Sequence, residues 1–182
     1  MCRTLTLVIL SALWLVATVP VLSEDNVPTA TFKDFQEFSK KMEGRWVAKI
    51  KLIHDWPGFE KKKGEITEGH SLRRIVADGH ALEDIGLCAG SESRGLFYWD
   101  AGLRTIKIVV VTNAGITYSG SLGREGEKWV CIFEGRMPNG QKMTGKNVCF
   151  FREDGTQVLE GQTYLEGKPM DPLHDEYRKV SK

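Results

Sequence analysis

The sequence predicts an all-β protein. The expected architecture is a single up-and-down antiparallel β-barrel of about nine to ten strands, with one N-terminal amphipathic helix capping a barrel end. Three observations carry this. Only residues 31–43 show apolar residues at helical spacing. From Trp46 onward, alternating or β-branched runs follow one another. Turn signals separate those runs at hairpin intervals. A meander this long exposes unpaired strand edges, and closing it into a barrel removes them.

The chain opens on Met-Cys-Arg, continues with an apolar run from Leu5, and reaches Ser23 just before Glu24-Asp25. A short positive start, an apolar segment and a small residue at the end read as a secretory signal peptide, residues 1–23. The alternative is an uncleaved anchor, because Leu5 to Leu22 is long enough to span a bilayer. Pro20 and the interspersed Thr and Ser favour cleavage. The expected location is therefore secreted or periplasmic, with no stable membrane span after cleavage. Residues 24–30 read as a flexible lead-in, and residues 31–182 as one barrel domain that includes the helix.

The whole chain has 25 basic and 24 acidic residues. Removing the leader takes away Arg3 and no acidic residue, so the mature chain is neutral. Such a balance gives no electrostatic footprint for nucleic acid. The basic run Lys61-Lys62-Lys63-Gly64 reads as a solvated turn.

The helix, 31–43, begins on Thr31, with Asp34 at capping-box spacing. Phe32, Phe35, Phe38 and Met42 form its apolar stripe, which must cover something apolar. Lys40 and Lys41 suit the C-terminal dipole, and Gly44 ends it. The first strand, "WVAKIKL", then alternates Trp46, Ala48, Ile50 and Leu52 against Lys49 and Lys51. "TIKIVVVT", "EKWVCIFEG", "GKNVCFFRE", "TQVLEGQTYL" and "DEYRKV" continue as strands. "ADGH", "TNAGI", "MPNGQ" and "REDGT" are among the turns between them, where Asp-Gly and Asn-Gly supply positive φ.

Gly44-Arg45-Trp46 resembles the Gly-x-Trp that opens the first strand of lipocalins and other calycins. The resemblance implies that Trp46 packs across the barrel base beside an Arg from the last strand, here Arg178. An Arg on an indole face is a favourable cation–π arrangement. "SLRRIVADGHALEDI", "GLFYWDAGLRTIKIVVVTNAGITYSGSL" and "YLEGKPMDPLHDEYRKV" further resemble a bacterial secreted family of unknown function with a calycin-like barrel. This resemblance covers roughly residues 36–180. It implies the fold and brings no catalytic residues.

In "GEITEGHSLRRIVA", Ile66, Leu72 and Val76 share parity and are expected to face the interior. Glu68, His70 and Arg74 share that parity. On an inward stripe they would orient a polar head group, or Glu68 and His70 would act as an acid–base pair. A bulge at Gly69 would instead turn them to solvent. Tyr98, Tyr118 and Tyr164 are further ligand candidates through their hydroxyls, or else ordinary barrel filling. Cys131 and Cys149 flank one hairpin turn; they form either a disulfide or a pair of small buried residues.

His54, His70, His80 and His174 lack zinc-type spacing, and no metal site or cofactor is expected. The expected function is binding of a small, largely apolar or amphipathic molecule. The alternatives are a barrel enzyme of isomerase or hydrolase type using Glu68 and His70, a haem-binding barrel using His174, or a packed interaction domain. Enzyme activity is thus the less favoured reading.

Overall fold

Thr31 starts the helix as its sequence requires. Its hydroxyl oxygen accepts the Asp34 backbone N–H at 3.2 Å, while its own N–H donates to the Asp34 carboxylate at 2.8 Å. Helix α1 follows over Phe32–Met42, with Phe35, Phe38 and Met42 buried. Glu43 leaves the helix in extended conformation, and Gly44 takes φ 122°. That angle belongs to glycine, so the abrupt exit from the helix rests on Gly44. Trp46 lies two residues on, 2 % exposed, its indole N–H donating to the Met42 carbonyl at 2.7 Å.

The computed structural model describes residues 29–181. The expected leader and residues 24–28 of the lead-in lie outside the described residues. Eleven strands follow the helix: β1 (Gly44–Lys51), β2 (Ile66–Val76), β3 (Ala81–Cys88), β4 (Ser91–Asp100), β5 (Thr105–Thr112), β6 (Thr117–Glu125), β7 (Lys128–Arg136), β8 (Lys142–Phe151), β9 (Gln157–Leu165), β10 (Lys168–Pro169) and β11 (Leu173–Ser181). Neighbours from β1 to β9 pair antiparallel in chain order. β11 then pairs with both β9 and β1 and closes the ring. The result is a closed barrel of 10 strands, with the two-residue β10 continuing the β9 hairpin. This is the all-β barrel with one capping helix that the sequence predicts.

The β3–β4 turn carries no Asn-Gly or Asp-Gly signal. Ala89 and Gly90 nonetheless adopt φ 47° and 80°, the paired positive angles that match a two-residue hairpin to strand twist.

Both barrel ends are covered. At one, Phe35, Phe38 and Met42 of α1 meet Leu82, Ile106, Leu122, Trp129 and Cys149. Phe38 packs edge-on to Trp129 at 5.2 Å between ring centroids. At the other, Ile116, Phe133, Met137 and Met143 form a second cluster. Trp56 joins it from the long β1–β2 connection, residues 52–65. Inner-face glycines make room for the large residues. A Cβ on Gly135 would come within 2.6 Å of Tyr118 Cβ, and one on Gly145 would overlap the Phe133 ring. The lumen is thus largely filled, as a barrel of this size permits.

The face of β2 reverses the sequence expectation. β2 pairs without interruption with β1 (Gly44↔Arg73 to Lys51↔Ile66) and with β3. Gly69, Ser71 and Arg73 are buried, while Ile66, Glu68, His70 and Arg74 are exposed. No bulge at Gly69 is involved; the whole strand has the opposite parity. The physical reason is that Trp46, Leu82 and Phe97 already fill the interior. Small residues and one arginine complete it, and aliphatic residues are left on the outer wall.

Arg178 is also corrected. It lies exposed opposite Val47 on the outer wall, whereas Trp46 pairs with Lys179. The cations over the Trp46 ring are Lys179 Nζ at 4.9 Å and the Arg73 guanidinium at 5.5 Å. The last strand does supply a cation, one residue later than expected, because the unbroken ladder from Lys49↔Glu176 to Val47↔Arg178 sets Lys179 opposite Trp46.

Candidate functional site

A cavity of about 170 Å³ lies inside the barrel beneath α1. Phe38 and Met42 of the helix, Phe97, Ile108, Leu122, Phe133 and Leu159 give it an apolar wall. Five strands bring polar groups to the same space: Arg73 from β2, Asp84 from β3, Tyr118 from β6, Asn147 from β8, and Tyr177 from β11. Gln157, at the start of β9, adds a sixth.

Arg73 organises these groups. It is 5 % exposed. Its Nε–H donates to Asp84 Oδ2 at 3.2 Å, and Nη1 donates to Gln157 Oε1 at 2.6 Å and to the Met42 sulfur at 3.4 Å. Ser71 Oγ donates to the other Asp84 oxygen at 2.5 Å. The guanidinium also sits 5.4 Å from the Tyr177 ring centroid. A buried charge needs pairing and hydrogen bonds, and Arg73 has both. Asn147 is different: its Oδ1 is buried with no hydrogen-bond partner.

Burial pushes the Cys131 thiol up to about 12 and Cys149 to about 11, and raises Tyr118 and Tyr177. None of these groups is a ready nucleophile or base near neutrality, since the thiolate is the reactive form. The arrangement suits orientation of a bound polar group. Cys131 and Cys149 share the inner face but are not opposed: Cys131 pairs with Asn147, and Cys149 with Trp129. Both are free thiols, as is Cys88.

Of the sequence candidates, Tyr118 alone lines the cavity. Tyr98 is 37 % exposed on the outer wall. Tyr164 falls on the outward parity of β9, its buried neighbour Thr163 facing in. Glu68 and His70 lie 2.9 Å apart in the open, with side chains 66 % and 52 % exposed. Arg74 is exposed beside them. The proposed acid–base pair therefore lies outside the lumen. His174 also faces outward, 3.1 Å from Glu160 and 53 % exposed, and does not line the cavity.

Sequence reasoning missed Arg73, Asp84, Asn147, Gln157 and Tyr177. One signal was present: Gly69, Ser71 and Arg73 alternate, and two small residues beside a predicted base tryptophan mark the crowded face.

A second buried polar group lies on the inner face of β11. Asp175 is 4 % exposed, and its Oδ1 has no partner. Burial pushes its carboxyl up to about 7, and His174 opposes this weakly. Cys88, which feels the Asp175 charge, is pushed up to about 11 chiefly by burial.

Among the described residues, no group of three or more His, Cys, Asp or Glu could hold a metal ion. No described helix is long and apolar enough to cross a membrane. The chain matches no family model and no curated protein.

Proposed function

We propose that this protein is a secreted or periplasmic, calycin-like barrel that binds a small amphipathic molecule in its lumen. The observation that carries the reading is the internal cavity, walled by apolar side chains and furnished with one cluster of polar groups around Arg73. Apolar pockets with a few convergent polar groups are the usual form of a small-molecule site. The size points to a modest ligand. A cavity of about 150 Å³ accepts a benzene-sized molecule, and this one is about 170 Å³. The Gly-x-Trp at the start of β1, with a last-strand cation over the indole, favours the calycin-like reading. The apolar segment ahead of Glu24 favours export.

Native mass spectrometry of the protein purified from its own source tests this. The expected spectrum shows a chain beginning near Glu24 with a non-covalent adduct that is lost on denaturation. Ile108→Trp, which fills the cavity, should abolish the adduct. A chain at its bare mass, whose melting temperature no ring-sized probe raises, would overturn the binding reading. A retained Met1 would overturn export.

A further inference from the structure

We infer that the lumen ligand is an uncharged, ring-sized molecule bearing a carbonyl group, which accepts a hydrogen bond from the free Nη2 of Arg73. The inference rests on the ligand-binding reading above and names the ligand's chemistry. Arg73 has five N–H groups. Three are engaged: Nε–H by Asp84, and the Nη1 pair by Gln157 and the Met42 sulfur. The hydrogen bonds of Arg73 to other described residues run from Nε and Nη1, and Nη2 makes none. A donor on a side chain only 5 % exposed, lining a cavity, calls for an acceptor in that cavity.

Charge decides which acceptor. Arg73 and Asp84 already neutralise each other at 3.2 Å. The other lining groups are apolar, amide, thiol or phenol, and burial keeps the thiols and phenols protonated. A carboxylate would add a net negative charge next to Asp84 in a water-poor space, which costs more than one hydrogen bond returns. A ketone or amide oxygen makes the same bond and adds no charge. A carboxamide meets both requirements, a carbonyl acceptor and no added charge.

Benzamide, benzoate and toluene test this on the wild-type protein. The first two are nearly isosteric and differ in charge; the third lacks the acceptor. Binding is read by titration calorimetry and located by the ¹³C-methyl signal of Met42, with Met137 and Met143 of the far cluster as controls. Benzamide should bind and shift Met42. Toluene should bind at least about tenfold more weakly, the value of one lost hydrogen bond to a charged group. Benzoate should bind more weakly still.

Benzoate matching benzamide would overturn the uncharged class, and toluene matching benzamide would overturn the role of Nη2. Either result leaves the lumen a ligand site. No shift of Met42 with any probe would overturn the ligand reading itself. In the double variant Arg73→Met with Asp84→Asn, no buried charge is left unpaired. There the advantage of benzamide over toluene should vanish, and its persistence would contradict the assignment.

Discussion

The two ends of the barrel are closed by different means. At one end a regular helix inserts Phe35 and Phe38, both essentially inaccessible, among Leu82, Ile106 and Trp129. Arg124 of β6 ties that helix down, 3.2 Å from Asp34 and 2.6 Å from Glu37, with its guanidinium over Trp129. At the other end an irregular connection, residues 52–65, lays a half-buried Trp56 on the Phe133 cluster. It is anchored at its start by the buried Leu52 and Ile53; beyond them its polar tethers include the Glu60 N–H to the Ala89 carbonyl at 2.8 Å and Lys63 to Asp171 at 2.8 Å, an exposed pair. The helical end is a packed core; the loop end is a cover. After Ile53 no residue of the connection is fully buried, and a cover of that kind opens at lower cost, so the two ends differ in stability before they differ in chemistry.

Truncation at the helical end should be the most damaging. Phe38→Ala is expected to cost about 3–5 kcal/mol in a urea melt, the range for a fully buried aromatic. Trp56→Ala, only half-buried, should cost about half that. Equal losses would mean that the loop end is as tightly packed as the helical one.

Titration should separate the ends in opposite directions. Hydrogen bonds from Thr31 and then Arg124 hold Asp34 below the usual carboxylate range; those from Arg124 hold Glu37 below it. Their contribution is full above their unfolded values of 3.8 and 4.5, and is lost as pH falls through the lower folded values. Asp175, on the inner face toward the loop end, behaves conversely. Its folded value of about 7 lies above its unfolded 3.8, so the folded state holds the extra proton between them. Stability should therefore fall as pH rises from about 4 to about 7 and then level off, a span worth roughly 4 kcal/mol at about 1.4 kcal/mol per unit. Asp175→Asn should flatten that slope and leave the acid limb unchanged. A slope that survives the substitution would assign the buried proton to another group.

The helix cap gives the smallest effect. Thr31→Ala removes the acceptor for the Asp34 N–H and should cost about 1 kcal/mol. Hydrogen exchange should show that loss in α1 and leave the far cluster unchanged. A loss spread evenly over both ends would mean that they unfold together and that the contrast has no energetic content.

The same contrast explains what the sequence revealed. The helical end was legible because its signals are local: the Thr31–Asp34 box, phenylalanines at helical spacing, and Gly44 before Trp46. The loop cover has no period, so Trp56 carried no sign of its place. The candidate site failed for a different reason. Strand parity says which residues share a face but not which face is inside. Ile66, Leu72 and Val76 suggested one choice. The barrel took the other, because Trp46 pairs directly with Ser71 and leaves no room there for Leu72. Tyr98 and Tyr164 went outward by the same rule. Arg178 failed by a single residue, because the β1–β11 register, which no pattern in the sequence marks, sets Lys179 opposite Trp46.

Adjacent arginines on β2 offer the most direct test of the inner face. Arg73 is buried and paired with Asp84, and Arg74 is exposed on the outer wall. Arg73→Met and Arg74→Met should be compared in urea melts at neutral pH. The barrel geometry predicts a loss of about 3–5 kcal/mol for Arg73→Met, because Asp84 is left without its partner, and a change within about 0.5 kcal/mol for Arg74→Met. A large loss at Arg74 with little change at Arg73 would contradict it, and would turn Glu68 and His70 back toward the lumen.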